Sequence, residues 1–150
     1  TTTTAVTRNA DVLTAGDIIT DAAGSAYVES SSIWSTSTGT IYALSRDSAN
    51  LLYKNAGLSN LIRSYDGTTA ANSAVGVSYQ NSPAGFAATW GVNLTAYLRG
   101  DTAGAVSYDG TFGAGNLAIG HKNTYNAWDG TIREVKIFNT ELTAAEVGDL

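Results

Sequence analysis

Short segments rich in Val, Ile, Thr, Tyr and Leu run through the sequence and are separated every few residues by Gly, Asn, Asp or Ser. This spacing is typical of an antiparallel β-sandwich, in which short strands alternate with tight turns. Asp66-Gly67 and Asp109-Gly110 indicate such turns, because glycine readily adopts the positive φ that they require. We predict strands at Ala26–Ile33, Thr40–Arg46, Leu51–Asn55, Asn60–Tyr65, Ala74–Tyr79, Gly85–Trp90, Leu94–Arg99, Ala105–Tyr108, Gly115–Gly120 and Gly130–Phe138.

The clearest alternation lies in the middle of the chain. In Phe86–Trp90 and in Leu94–Arg99 every second residue is apolar, which predicts two half-buried strands. The short link Gly91–Asn93 would join them as a hairpin. Trp90 is expected in the core, whereas Tyr97 and Arg99 point to the face that the core does not use.

Two segments near the C-terminus do not alternate. In Ile132–Phe138 the apolar residues Ile132 and Val135 are three apart, which indicates either a β-bulge or a central strand buried on both faces. Thr143-Ala144-Ala145-Glu146 fits a helix capping box, in which the first and last residues bond each other's backbone N–H. We predict about two turns of helix here, closing the domain.

Composition excludes several functions. The net charge is −5, and the arginines occur singly, so the chain lacks the basic cluster that nucleic acids or anionic membrane surfaces need. With no cysteine, disulfides and thiolate chemistry are excluded. No apolar run is long enough to span a bilayer, so no membrane insertion is expected.

The low share of charged residues, 14%, and the many hydroxyl side chains favour an extracellular or virion protein. Thr1–Thr4 lacks the basic start and the apolar stretch of a signal peptide and is typical of the end of a Thr-rich linker. We therefore predict a linker remnant at residues 1–5 and one domain at residues 6–150, as part of a larger protein.

The residues that commonly cut glycosidic bonds are sparse. Polysaccharide hydrolases generally use paired carboxylates, but no glutamate here has an acidic neighbour two to five residues away on the same strand face. His121 is the single histidine, and no Gly-x-Ser-x-Gly motif occurs. From these observations we expect that the chain is not an enzyme.

The last third of the chain resembles a known ending. Leu117–Gly120, Trp128–Phe138 and Leu142–Val147 resemble the final strands and helix of laminin G-like and concanavalin A-like domains. Upstream, Tyr97–Gly100 resembles a family hairpin that normally ends Tyr-x-Asn-Gly, but Arg99 stands where the Asn would be. In the N-terminal half, Thr7–Asp11, Ala26–Glu29 and Ile41–Ser45 resemble the versions attached to phage tail and tail-fibre proteins.

This resemblance implies a two-sheet jelly-roll sandwich, with frequent glycan binding and sometimes a calcium ion. Trp128 would then pack inward, as the aromatic residue before Asp-Gly usually does in the family. Asp129, beside backbone carbonyls, is the candidate calcium ligand. Nothing in the sequence demands a cofactor.

The candidate glycan site rests on side chains that sugars commonly contact. The loop His121–Asn126 carries a His, two Asn and a Tyr, more than a simple turn needs. Trp34 stands among small hydroxyl residues, where either a binding platform or an interdomain contact would explain it. We predict carbohydrate contacts from Trp34, Tyr97, Arg99, His121, Asn123, Tyr125 and Asn126.

The sequence thus favours a non-catalytic carbohydrate-binding module from a phage tail or a cell-surface-binding protein. Its partner would be a polysaccharide or a cell-surface glycan. The alternative is a structural or decoration domain that contacts only other virion proteins.

Overall fold

A computed structural model describes residues 13–15, 18–33, 40–46, 49–58, 60–77, 84–109, 112, 115–122, 126–128 and 130–150. Within these ranges the chain is all-β apart from a 3-10 turn at Ala56–Leu58 and one C-terminal α-helix, α1 (Ala144–Gly148). None of the described helices is long and apolar enough to cross a membrane. The predicted linker at residues 1–5 lies outside the described residues, so the domain boundary stays a prediction.

The strands form two antiparallel sheets. In the described chain, the six-stranded sheet has the order β1 (Leu13–Ala15), β10 (Leu117–Ile119), β3 (Ile41–Arg46), β4 (Ala49–Asn55), β5 (Leu61–Tyr65) and β6 (Ala70–Gly76). The five-stranded sheet has the order β11 (Gly130–Phe138), β2 (Gly24–Ile33), β7 (Ala84–Trp90), β8 (Asn93–Leu98) and β9 (Val106–Ser107). The predicted two-sheet antiparallel sandwich with a short C-terminal helix is confirmed.

The main core lies between the two sheets. Phe86, Trp90 and Trp128 are buried in it, and the rings of Phe86 and Trp128 have centroids 5.1 Å apart. The indole N–H of Trp90 donates to the Thr20 carbonyl at 2.8 Å, and that of Trp128 donates to the Ser30 hydroxyl at 3.2 Å. Each ring therefore buries its apolar surface without leaving its polar atom unpaired. The prediction that both tryptophans pack inward is confirmed.

Strands β7 and β8 form the predicted hairpin, with Trp90 opposite Leu94. The prediction that these strands are half-buried is wrong. Ala87 and Tyr97, which point away from the main core, are also buried, because they pack with Val147 of α1 in a second apolar cluster. The short C-terminal helix thus gives the hairpin a second buried face.

Strand β11 lies at the edge of its sheet and pairs with β2. Its register shifts between Thr131 and Ile132 and again between Ile132 and Glu134. Of the two explanations for its broken alternation, the structure therefore shows the β-bulge and not the central strand.

Strand β6 begins at Ala70 and not at Ala74 as predicted. The hydroxyl of Ser73 accepts the N–H of Ile62 at 3.1 Å and donates to the carbonyl of Val75 at 2.7 Å. A side chain thus replaces part of the β5–β6 ladder, and the register between these strands shifts at this position. Strand β1, which is three residues long, was not predicted.

Asp66 ties the two sheets together at one end of the sandwich. Its side chain is fully buried, and its carboxylate accepts the N–H groups of Thr68, Thr69 and Asp109 at 2.9, 2.6 and 3.3 Å. Asp66 follows β5 in one sheet, whereas Asp109 follows β9 in the other. Gly67 has a φ of 101°, as predicted for the Asp-Gly turn.

We expect Asp66→Ala to lower the free energy of unfolding by about 3 kcal/mol, because three backbone N–H groups would lose the buried carboxylate that accepts them. Equilibrium unfolding in urea measures the change. Asp101→Ala is the control, since Asp101 is an exposed turn residue and its removal should matter by less than about 0.5 kcal/mol. Equal losses in the two variants would contradict the role assigned to Asp66.

Candidate functional site

A pocket of about 230 Å³ opens on the outer face of the five-stranded sheet, beside α1. We call it the outer pocket. Strands β2, β7 and β8, the turn after β8 and the end of the chain supply its lining. The lining residues are Tyr27, Gly85, Phe86, Ala87, Tyr97, Arg99, Gly100, Val147, Gly148 and Leu150.

The antiparallel register places two tyrosines on either side of an alanine. Tyr27 is opposite Ala87, and Ala87 is opposite Tyr97, so the three side chains form a row across β2, β7 and β8. On the other side of Tyr27, Lys136 of β11 lies with its amino group 5.3 Å from the centre of the ring. The small Ala87 leaves space between the two phenol rings.

Tyr27 and Tyr97 are largely buried, and their phenol hydroxyls are unbonded within the described residues. In the described part of the chain, neither hydroxyl forms a hydrogen bond, and neither is among the buried polar atoms that lack a partner. Burial, with a smaller contribution from Glu29, raises the pKa of Tyr27. Its hydroxyl therefore stays protonated at neutral pH and can act as a donor.

Gly85 lets the Tyr27 ring lie across strand β7. A Cβ atom at Gly85 would come within 2.7 Å of the Tyr27 hydroxyl oxygen, closer than such contacts allow. Because glycine has no side chain, the Tyr27 ring can lie at this position on the border of the pocket.

A tight turn presents Arg99 at the rim. Leu98 and Asp101 exchange two backbone hydrogen bonds of 2.9 Å, and the two residues between them, Arg99 and Gly100, have φ values of 53° and 82°. Positive φ at both central positions is the signature of a type I′ turn. The N–H of Arg99 also donates to the Gly85 carbonyl at 2.8 Å, which joins the turn to β7.

The C-terminal segment forms one wall of the pocket. The Ser25 hydroxyl donates to the Thr140 carbonyl and accepts the Leu142 N–H, both at 2.8 Å. The predicted capping box of Thr143 and Glu146 is present, although the helix after it is shorter than the two turns expected. Together these bonds fix the segment against the sheet.

The structure divides the predicted carbohydrate-binding residues between the two sheets. Tyr97 and Arg99 lie on the outer face of the five-stranded sheet, as predicted, and line the outer pocket. His121 and Asn126 instead follow β10 of the six-stranded sheet, where the Tyr42 N–H donates to the Asn126 carbonyl at 3.0 Å. The remaining candidates lie outside the described residues: Trp34, Asn123, Tyr125 and the candidate calcium ligand Asp129.

His121 lies inside the fold and not on a solvent-exposed loop. Its side chain is only 5% exposed, and its carbonyl accepts the Ser45 hydroxyl at 2.8 Å. Both ring nitrogens are buried without a hydrogen-bond partner in the described chain. A polar loop composition therefore did not predict where this side chain points.

Metal ligands do not cluster in the described ranges: no three His, Asp or Glu side chains there could hold an ion together. Since Asp129 lies outside these ranges, calcium binding stays a prediction.

Sequence reasoning missed most of the pocket. Tyr27, Gly85 and Gly148 were not among the candidates, although Tyr27 alternates with the buried Val28 in a predicted strand. That alternation indicates an outward-facing tyrosine. It does not show that Tyr97, seventy residues later in the sequence, lies two strands away, on the other side of Ala87.

No protein-family model and no curated protein matches this sequence. Solved structures of similar fold include Trypanosoma rangeli sialidase, with a TM-score of 0.64 and 13% identity, and its complex with sialic acid, with a TM-score of 0.61 and 14% identity. Each alignment covers 85% of this chain, which spans only 22% of the sialidase chain. At this identity the likeness shows the fold.

Two interpretations from the sequence need correction: that the chain is not an enzyme, and that it is a non-catalytic module. Solved structures that share its sandwich include sialidases, which are enzymes. Both interpretations rested on the absence of paired carboxylates. That criterion does not apply to sialidases, which use a tyrosine nucleophile.

The capping box makes the stability of the C-terminal segment, which forms one wall of the pocket, depend on pH. The Thr143 N–H and hydroxyl both donate to Glu146 at 2.8 Å, and these bonds lower the pKa of Glu146 below its usual 4.5. A lowered pKa in the folded state means that this stabilisation is complete above 4.5 and is lost as the pH falls through the folded value. We expect amide exchange of residues 143–148, normalised to intrinsic rates, to accelerate below pH 4.5.

Glu146→Gln is the control, because an amide oxygen can still accept a hydrogen bond but does not titrate in this range. Its exchange profile should be flat where that of the unchanged protein rises. Identical profiles in the two proteins would contradict the role of Glu146.

Proposed function

We propose that this chain is the β-sandwich part of a glycan-cleaving enzyme and that the outer pocket holds part of the glycan substrate. The observation that carries the proposal is the pocket itself, where two phenol hydroxyls without protein partners lie near an arginine. Hydroxyl and N–H groups at fixed positions, beside apolar surface, are what a sugar needs for orientation.

The fold likeness supports this proposal, since 85% of the chain aligns with part of a sialidase. The rest of such an enzyme would be considerably larger than the sandwich, because this chain spans 22% of the sialidase length. Within the pocket, Tyr27 suits the role of a donor to the substrate. An attacking tyrosine needs a lowered pKa or an adjacent base, whereas burial raises the pKa of Tyr27.

The sequence resemblance also supports a glycan-related role. The ending Trp128–Val147 resembles laminin G-like and concanavalin A-like domains, many of which bind glycans. The likeness to the versions attached to phage tails, and a location outside the cell or on a virion, stay predictions.

Filling the pocket tests the proposal. A Cβ atom at Gly148 would have no neighbour within 4 Å, so a larger side chain can be placed there without a backbone clash. We expect Gly148→Phe to fold normally and to weaken glycan binding by about tenfold or more, or ~1.4 kcal/mol. Affinity electrophoresis against a panel of neutral and acidic glycans measures binding, and chromatography of released sugars measures cleavage.

Ala145→Phe is the matched control, because Ala145 lies on the same helix, is exposed and is not part of the pocket lining. It should bind glycans like the unchanged protein. If the unchanged protein neither retains nor cleaves any glycan of the panel, or if the two Phe variants behave alike, the proposal is wrong.

A further inference from the structure

We propose that the outer face of the six-stranded sheet binds an acidic polypeptide segment of a partner protein, and that Arg63 holds a carboxylate of that segment. This face lies on the opposite side of the sandwich from the outer pocket, so the inference does not depend on the proposed function. Three observations support it: the charge of the sheet, the unpaired guanidinium group of Arg63 and the exposed aliphatic side chains beside it.

The six-stranded sheet is cationic in an acidic protein. The chain has a net charge of −5, yet none of the strands that the structure describes in this sheet contains Asp or Glu. Their charged residues are Arg46, Lys54 and Arg63. Arg46 and Lys54 are buried, and Arg46 donates to the Ile19 carbonyl at 3.0 Å. Arg63 is therefore the strand cation that a partner can reach, and an acidic partner would meet no repelling carboxylate on these strands.

Alternation along β5 and β6 places Arg63 and Asn72 on the outer face. Ile62 and Ala71 belong to the main core, so the residues that follow them point away from it. Arg63 and Asn72 are directly opposite each other, and Tyr53 is opposite Arg63 on the other side. The outer face thus carries Tyr53, Arg63 and Asn72 in one row across β4, β5 and β6.

The guanidinium group of Arg63 has no partner within the described ranges. Its Nε atom is buried and unbonded, as is the Oδ1 atom of Asn72 opposite. The two terminal nitrogens are also unbonded, and they reach solvent, since Nε is the one nitrogen of this group that is buried without a partner. Arg133 on the other sheet differs, because it lies 2.9 Å from Glu29. Two terminal N–H groups side by side match the two oxygens of a carboxylate.

Aliphatic side chains are exposed at the end of the same strands. Val75 in β6 is 54% exposed, and Leu58 in the turn before β5 is 39% exposed. A backbone hydrogen bond of 2.9 Å from Val77 to Asn60 holds these two segments together. In a protein interface, an apolar contact beside a charged one excludes water from it and strengthens the ion pair.

A polypeptide suits this face better than a sugar does. Sugar sites commonly offer open aromatic surface, but Tyr42 and Tyr53 are only 8% and 5% exposed and stack on each other, with ring centroids 5.1 Å apart. The partner would lie across the face and not extend the sheet, because the edge strand β6 already uses two of its carbonyl groups, those of Asn72 and Val75. Contact through side chains is therefore the mode that this face favours.

Selection from a displayed library of random short peptides tests the inference. Binders are selected on the unchanged protein and then measured as synthetic peptides by fluorescence polarisation. We expect the binders to be enriched in Asp and Glu, and we expect Arg63→Gln to weaken them about tenfold or more. The midpoint of urea unfolding should stay the same in Arg63→Gln, because this side chain makes no bond that the fold would lose.

Two further variants separate the contributions to binding. Arg133→Gln is the matched control, because it removes the same charge from an exposed position on the other sheet, and it should leave peptide binding unchanged. Val75→Thr keeps the branched shape of an exposed side chain but makes it polar, so it should weaken the same peptides by a smaller factor than Arg63→Gln does.

The inference is wrong if the selected peptides show no excess of Asp and Glu, or if Arg63→Gln binds them as tightly as the unchanged protein. Retention on polygalacturonate that depends on Arg63, without peptide binding, would make the occupant an acidic sugar and also overturn it. A dimer in sedimentation that Arg63→Gln dissociates would make the occupant a second copy, with the same consequence. Gly148→Phe should leave the peptides bound, so this inference and the proposed function can fail separately.

Discussion

The antiparallel register of β2, β7 and β8 determines which side chains lie on each of the two faces of the five-stranded sheet. Because side chains alternate along a strand, the pairing that sends Phe86 and Trp90 into the main core also sends Ala87 outward, between Tyr27 and Tyr97. A slip of one residue would exchange the two sets and expose the core side chains. The outer pocket is thus a consequence of the pairing that stabilises the sandwich.

Features encoded by neighbouring residues could be predicted from the sequence. The capping box, the Asp66-Gly67 turn and the inward-facing Trp90 each follow from a few consecutive residues, and the structure contains all three. The start of β6 was misplaced because the Ser73 hydroxyl, and not a backbone pattern, decides the local pairing. The second buried face of the hairpin depends on a helix about fifty residues further along the chain, which no local pattern reveals.

In the candidate site, too, some features follow from neighbouring residues and others depend on distant parts of the chain. Tyr97 was correctly placed on the face opposite the core, since alternation along β8 determines this; Arg99 lines the same pocket but lies in the turn after β8. The composition of the loop at His121 suggested exposure, yet the fold buries that ring, because burial depends on what packs over a residue. The expectation of a non-catalytic module rested on a search for paired carboxylates, which finds one class of glycosidase and overlooks those that use tyrosine.

The main core and the helix-covered outer face are separate apolar clusters, with Val147 in the second. Residues at the end of the chain can therefore change without disturbing the packing between the sheets. In evolutionary terms, the exposed residues of this last segment can vary while the packing between the two sheets is kept. Diversity among relatives of this protein should accordingly concentrate in that C-terminal stretch, and the strands beneath it should change more slowly.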